Sequence, residues 1–378
     1  MTVSERSFTC MPSGTVRVAL LTPPGRGALA VVGVAGRDAL AAVARLFVPR
    51  GATSLDARPD GAIVFGRWGD AERGEELVVV RRSAQRLEVH CHGGLAASDA
   101  VLASLEEAGA VRQAWPDWFA AAGASLIEVE AREALARAGG PKAAQILCRQ
   151  LAGVLEAELA RIAGLEAGGD VAGAAAARER LRQAARVGLR LTRPWRVVVA
   201  GEVNAGKSSL VNALAGHARS IVSAEPGTTR DVLETRIVLD GWEIDLIDTA
   251  GLRDEPAGPT EAAGIERAHA AAAVADLVLH CRTGFSLSLG SDRLKPVLLP
   301  SDRLKPVLRD TILVVTKCDL APSESGPPDA IRTSAITGLG IDALAAEIVR
   351  RLIPEERDAP TLLAGPVPFT ARQLEQLT

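Results

Sequence analysis

The sequence predicts an α/β multidomain protein: a small N-terminal α/β domain, a central helical domain, and a doubly wound α/β domain. Three observations carry this. Short apolar, β-branched runs separated by turn residues occupy the N-terminal part. A stretch rich in Ala, Leu, Glu and Arg follows from Ile127 to Leu191. Beyond Arg193-Pro194, apolar strands and helical segments alternate to about Arg351. At 378 residues, and roughly 150 residues per domain, two or three domains are expected.

In the first domain, residues 1–118, strands are expected over Thr15–Leu21 and Leu29–Val34, on either side of the turn cluster Pro23-Pro24-Gly25-Arg26-Gly27. Ala62–Phe65, Leu77–Val80 and Leu87–His90 read as further strands, and Asp38–Leu46 as a helix. Residues 119–192 form the helical domain, with two or three helices divided at Gly139-Gly140 and Gly168-Gly169. The third domain, residues 193–353, opens on the continuous apolar strand Arg196–Ala200. In the tail, 354–378, Thr370–Leu377 reads as the truncated start of a returning helix. The octapeptide at Ser291–Leu298 recurs at Ser301–Leu308, which fits a short duplication in a surface connection.

Composition narrows the function classes. No apolar run approaches the ~20 residues that cross a bilayer, so no membrane role is expected, and Met1–Pro12 lacks the pattern of an export signal, so a cytoplasmic location is expected. Cys10, Cys91, Cys148, Cys281 and Cys318 form no C-x-x-C pair and suit reduced thiols. A net charge of −3 and 3% aromatics with no Tyr disfavour a nucleic-acid coat built on bulk charge and base stacking.

The chemistry lies in the third domain. Gly201-Glu-Val-Asn-Ala-Gly-Lys-Ser208 stands between a strand and the helical run Ser209–Leu214. Its glycines let backbone N–H groups close around phosphate oxygens, across Asn204, Ala205, Gly206 and Ser209. Lys207 reaches the β- and γ-phosphates, and Ser208 offers its hydroxyl to Mg²⁺. Thr228 and Thr229 of Pro226-Gly-Thr-Thr229 are placed to sense the γ-phosphate, with Thr229 completing the Mg²⁺ ligands. In Asp248-Thr249-Ala250-Gly251, Asp248 holds the metal through water and the Gly251 N–H faces the γ-phosphate. In Thr316-Lys317-Cys318-Asp319, Asp319 accepts two hydrogen bonds from a guanine edge, which adenine does not donate. Ser334-Ala335 fits the last base-binding loop. These elements, in this order, define a Ras-like P-loop GTPase domain that binds GTP and GDP.

Other features read more plainly. Gly25–Ala30 suits a structural turn, and His90-Cys91-His92 suits an ordinary strand. Arg178, Arg182, Arg186 and Arg190 recur every four residues, a basic stripe that either faces solvent or grips RNA phosphates.

Together the motifs resemble the tRNA-modification GTPase family called MnmE or TrmE. Thr22-Pro-Pro-Gly-Arg-Gly27, Leu46-Phe-Val-Pro49 and His90-Cys-His-Gly-Gly94 look like that family's N-terminal signatures. The resemblance implies K⁺ binding at Asn204 and a water-orienting carboxylate at Glu261, within Glu261-Ala-Ala-Gly-Ile-Glu-Arg267. It also implies a homodimer, a tRNA substrate modified at C5 of the wobble uridine, a flavoprotein partner, and a folate one-carbon donor in the N-terminal domain. The chain departs from the family pattern at four places, one of them the stretch from Ala114 to Ser125, where the family's Gly-Glu-Phe-Thr-type segment entering the helical domain is not recognisable. Gly33 stands where the family has a folate-contacting arginine, Ser83-Ala84-Gln85 replaces an acidic stretch, and the sequence given stops at Thr378 before the family's Cys-Ile-Gly-Lys motif. A GTP-operated regulatory switch without the one-carbon chemistry is therefore the alternative expectation.

Overall fold

The computed structural model describes residues 15–23, 27–70, 74–201, 204–218, 234–248, 275–283, 310–320, 329–353 and 363–377. They fall into two compact units, 1–129 and 130–378, with the boundary inside a helix, Leu126–Leu135.

In the first unit, strands β1 (Arg17–Leu20), β2 (Leu29–Ala35), β3 (Phe47–Pro49), β4 (Ile63–Trp68), β5 (Glu75–Ser83), β6 (Arg86–His92) and β7 (Val111–Arg112) form one seven-stranded sheet in the order β3-β4-β5-β6-β2-β1-β7. Alternation decides its faces. Val64 and Trp68 of β4, Leu77 and Val79 of β5, and Leu87, Val89 and Cys91 of β6 point into one core. Helices α1 (Ala39–Leu46) and α2 (Leu95–Glu107) close that core with Val43, Val101, Leu102 and Leu105. The strands expected from alternation all form, most of them longer than the apolar runs themselves. On the other face, the short helix α3 (Trp115–Ala121) lays Trp118 against Gly33, where a Cβ would stand 2.6 Å from the indole.

The second unit begins with helices rather than strands. Four helices cover the Ala-rich stretch where two or three are expected: α4 (Leu126–Leu135), α5 (Pro141–Leu151), α6 (Val154–Ala167) and α7 (Val171–Gly188). The extra division falls at Gly153, whose φ of 89° no helix interior admits. The tail docks on this helical region. Thr370 caps α10 (Ala371–Glu375) with a reciprocal capping box. The buried Gln150 amide donates to the Gly365 carbonyl and accepts from the Val367 N–H, and Glu130 accepts from Arg372 and Gln373. The basic stripe is largely spent on such contacts. Arg178 pairs with Glu166, Arg182 donates to the Leu377 carbonyl, and Arg190 pairs with Asp276, which leaves Arg186 on the surface.

The six-stranded sheet of this unit runs β13 (Ile331–Arg332), β12 (Thr311–Thr316), β11 (Leu277–Thr283), β8 (Trp195–Gly201), β10 (Trp242–Asp248) and β9 (Glu234–Leu239). All neighbours are parallel except β9, which pairs antiparallel with β10. Val197, Val198 and Val199 of the central β8 are fully buried, as expected of a strand covered on both faces. Helices α8 (Lys207–His217) and α9 (Ile341–Leu352) pack onto it through Leu210, Leu214, Leu344 and Ile348. The carboxyl ends of β8, β10 and β12 deliver Gly201, Asp248 and Thr316 to the same edge of the sheet, the place where open α/β sheets bind ligands. The duplicated octapeptide lies outside the described residues.

Candidate functional site

The site is assembled from strand ends and the loops they feed. β8 passes into α8 through a glycine loop. Gly201 has φ of 139°, and a Cβ there would lie 2.1 Å from the Cys281 carbonyl oxygen, so only glycine lets β8 and β11 close at this point. Asn204 and Gly206 take left-handed conformations, φ 60° and 76°, and Gly206 is the N-cap of α8. The N–H groups of the first turn, with the helix dipole behind them, make an anion seat. Lys207 is buried and its ammonium donates to the Gly201 carbonyl at 3.2 Å.

Ser208 follows on the helix, and its hydroxyl donates to Oδ2 of the buried Asp248 at 2.5 Å. A hydroxyl and a carboxylate oxygen brought together beside a phosphate seat form the hard oxygen set that Mg²⁺ takes, so the residues fit that ion. Ser209, next along the helix, is exposed.

The base-binding side is tied to the phosphate side by side-chain and backbone bonds. Thr316, at the end of β12, has its hydroxyl 2.6 Å from the Ala205 carbonyl and 3.1 Å from the Arg282 carbonyl. Lys317 is left-handed at φ 57°, and its aliphatic stem runs beside Gly206. Asp319 is exposed. The Cys318 N–H donates to the Thr333 carbonyl at 3.1 Å, which holds this loop against the buried Ser334 and the half-buried Ala335. Ser334 in turn accepts from the Thr337 N–H. Asn204, Ala205, Gly206, Lys207, Ser208, Ser209, Asp248, Thr316, Lys317, Asp319, Ser334 and Ala335 thus belong to loops gathered around that sheet edge, whereas Thr228, Thr229, Thr249, Ala250, Gly251 and Glu261 lie outside the described residues. Sequence reasoning missed the carbonyls of Cys281, Arg282 and Thr333. They carry no side-chain signal, because they act through the backbone.

Two further ligands are tested by the same geometry. Asn204 stands exposed at the loop, with one amide oxygen to offer a K⁺ ion. Folate does not fit so well. The Trp118 indole fills the space beside Gly33, so position 33 holds no cation for a folate carboxylate. Its cross-strand partner Glu88 is already bound by Arg82 and His90, which outweigh burial and hold its carboxyl below the usual range. His92 pairs with Glu75, and among the described residues no cluster of His, Cys, Asp or Glu could hold a metal.

A strand, glycine loop and helix, a serine–aspartate pair and a Thr-Lys-Cys-Asp base loop at one sheet edge define a P-loop GTPase. A profile of the 50S ribosome-binding GTPase family matches residues 196–317, the span from β8 to the base loop. The tRNA modification GTPase MnmE of Synechococcus sp. strain WH7803 is 34% identical over 380 residues, covering 88% of this chain and 80% of that protein. MnmE of Thermus thermophilus is 32% identical, covering 95% and 86%. The chain belongs to the tRNA modification GTPase MnmE family. The G domain of the T. maritima FeoB iron transporter covers 42% of this chain at a TM-score of 0.27, too loose a superposition to add to that assignment. No helix among the described residues is long and apolar enough to cross a membrane.

Proposed function

We propose that this chain hydrolyses GTP in the service of tRNA modification at C5 of the wobble uridine, as a cytoplasmic homodimer working with a flavoprotein partner. The observation that carries the GTPase half is the Ser208–Asp248 pair set beside Lys207 at the same sheet edge as the Thr316–Asp319 loop. The tRNA half rests on the names of relatives that match nearly the whole chain.

In the reaction, water attacks the γ-phosphate in line with the leaving β-phosphate oxygen. Lys207 leaves the Gly201 carbonyl for the β- and γ-phosphate oxygens, and the first-turn N–H groups of α8 cradle the phosphates. Ser208, Thr228 or Thr229, and Asp248 through water would hold Mg²⁺, which when bound neutralises charge between the two phosphates. The Gly251 N–H faces the γ-phosphate, Glu261 orients the attacking water, and Asn204 lends its amide oxygen to K⁺. Asp319 accepts from the guanine N1–H and N2–H, while Thr249, Ala250, Lys317, Ser334 and Ala335 line the nucleotide. No step is derived through folate.

The test is a nucleoside census of tRNA from cells with the gene deleted and then restored. Loss of C5-modified wobble uridine on deletion, and its return with the wild-type gene alone, is expected. Unchanged nucleosides in a strain whose purified chain hydrolyses GTP would overturn the tRNA half and leave a regulatory switch.

A further inference from the structure

The far end of the β9–β10 hairpin meets the helical region through a contact that the nucleotide site does not use. Asp240 and Gly241, at φ 46° and 82°, turn β9 into β10. Lys142, in the first turn of α5, grips this turn in three ways. Its backbone N–H donates to the Gly241 carbonyl at 3.2 Å, its ammonium meets Asp240 Oδ2 at 2.8 Å, and it lies 5.9 Å over the Trp242 ring. The Gly139-Gly140 pair, which sequence alone presents as a helix break, is part of the same contact. A Cβ on Gly140 would lie 2.5 Å from the Gly241 carbonyl oxygen, and one on Gly139 would lie 2.1 Å from the Glu243 carboxylate.

The hairpin runs without a break into the strand that ends at Asp248. β10 pairs with β9 from Trp242↔Leu239 to Ile247↔Glu234, and with β8 from Ile244↔Trp195 to Asp248↔Val199. Ile237, Ile244 and Leu246 are fully buried along it, and close-packed interiors transmit strain. At ~3.3 Å per residue, the tip lies roughly 20 Å from Asp248, the residue that meets Ser208.

We propose that Gly140 and Lys142 are positioning residues through which the helical region sets Asp248, and with it the Mg²⁺-dependent retention of nucleotide. The proposal rests on the reading that Ser208 and Asp248 hold Mg²⁺. It gives a reason for the close glycine approach that a simple helix break does not require.

The test measures release of a fluorescent GDP analogue from the full chain across a Mg²⁺ titration. Gly140→Ala drives a methyl group into backbone, so the Mg²⁺ concentration at half-maximal slowing of release should rise about fivefold, within the range of couplings carried by packed networks. Gly139→Ala meets only the end of a flexible carboxylate and should leave that midpoint unchanged. Lys142→Ala should raise it by about threefold, and Lys142→Arg, which keeps the ion pair and the ring contact, should restore it. Lys142→Ala adds no atoms, so it keeps the test open if Gly140→Ala does not fold. Unchanged midpoints in folded Lys142→Ala and Gly140→Ala, in a protein where Ser208→Ala removes the Mg²⁺ dependence, would overturn the coupling. A wild-type midpoint in Ser208→Ala would instead overturn the metal-site reading beneath it.

Discussion

Replacing Thr316 by valine isolates the bond that ties the base loop to the phosphate loop. Valine keeps the volume and branching of threonine but removes the hydroxyl. Thr316 has one hydroxyl proton and two carbonyls within reach, Ala205 at 2.6 Å and Arg282 at 3.1 Å, so one hydrogen bond is lost rather than two. The residue is 4% exposed, so water cannot readily take the place of the donor. An orphaned buried acceptor costs ~1–3 kcal/mol. On the proposed reading, nucleotide bridges the two loops and so requires them to stay together. If about 1 kcal/mol of that cost falls on binding, GDP affinity drops by roughly fivefold. The assay is equilibrium binding of a fluorescent GDP analogue, with urea unfolding of the same variant. GDP affinity within twofold of wild type, alongside the full loss of folding stability, would refute the idea that this bond serves the nucleotide. Thr316→Asn, with two amide protons for two carbonyls, should bind GDP at least as tightly as wild type.

Two other expectations follow from the charge and thiol environments. Burial pushes the Glu243 carboxyl up, with Arg236 opposing and Asp245 adding to the shift. A raised folded value means that the ionised form is the disfavoured one, so its cost is absent below the unfolded carboxylate range and appears as pH rises through the folded value. Glu243→Gln should therefore be more stable than wild type at pH ~7 but not at pH ~4; urea denaturation at both values checks this, and a less stable variant at neutral pH would contradict it. Burial pushes the Cys281 thiol up to about 12 and the Cys91 thiol to about 11, while Cys148 is exposed. A disulfide reagent at pH ~8 should react at once with Cys148, and with Cys91 and Cys281 only after denaturant is added; prompt native labelling of Cys281 would show that β11 is not packed as described.

The phosphate loop was legible because its chemistry is written in residue types at fixed spacing: glycines for backbone approach, a lysine, a serine, and a strand and helix on either side. Asp248 was legible for the same reason, as the polar end of an apolar strand. What joins the loops was not. The Thr316 hydroxyl reaches Ala205 across a sequence separation of 111 residues, and the acceptor is a carbonyl that every residue has. The helical region shows the same limit. A lone glycine at 153 among helix formers reads as tolerated, and only its left-handed φ reveals a boundary between α5 and α6. The four-residue period of Arg178, Arg182 and Arg190 was plain, but their partners Glu166, Leu377 and Asp276 come from elsewhere in the chain. Likewise Gln150 meets the tail through Gly365, at a separation of 215 residues. Periodicity tells which residues share a face, and long-range packing decides what that face touches.

The most direct test of the account is steady-state GTP hydrolysis by the wild-type chain and by Lys207→Ala, in buffer with MgCl₂ and KCl. With the buried ammonium gone from the phosphate seat, turnover should fall by roughly a hundredfold or more at saturating GTP. Equal kcat in the two proteins would mean that the loop from Gly201 to Ser208 is not where GTP is cleaved.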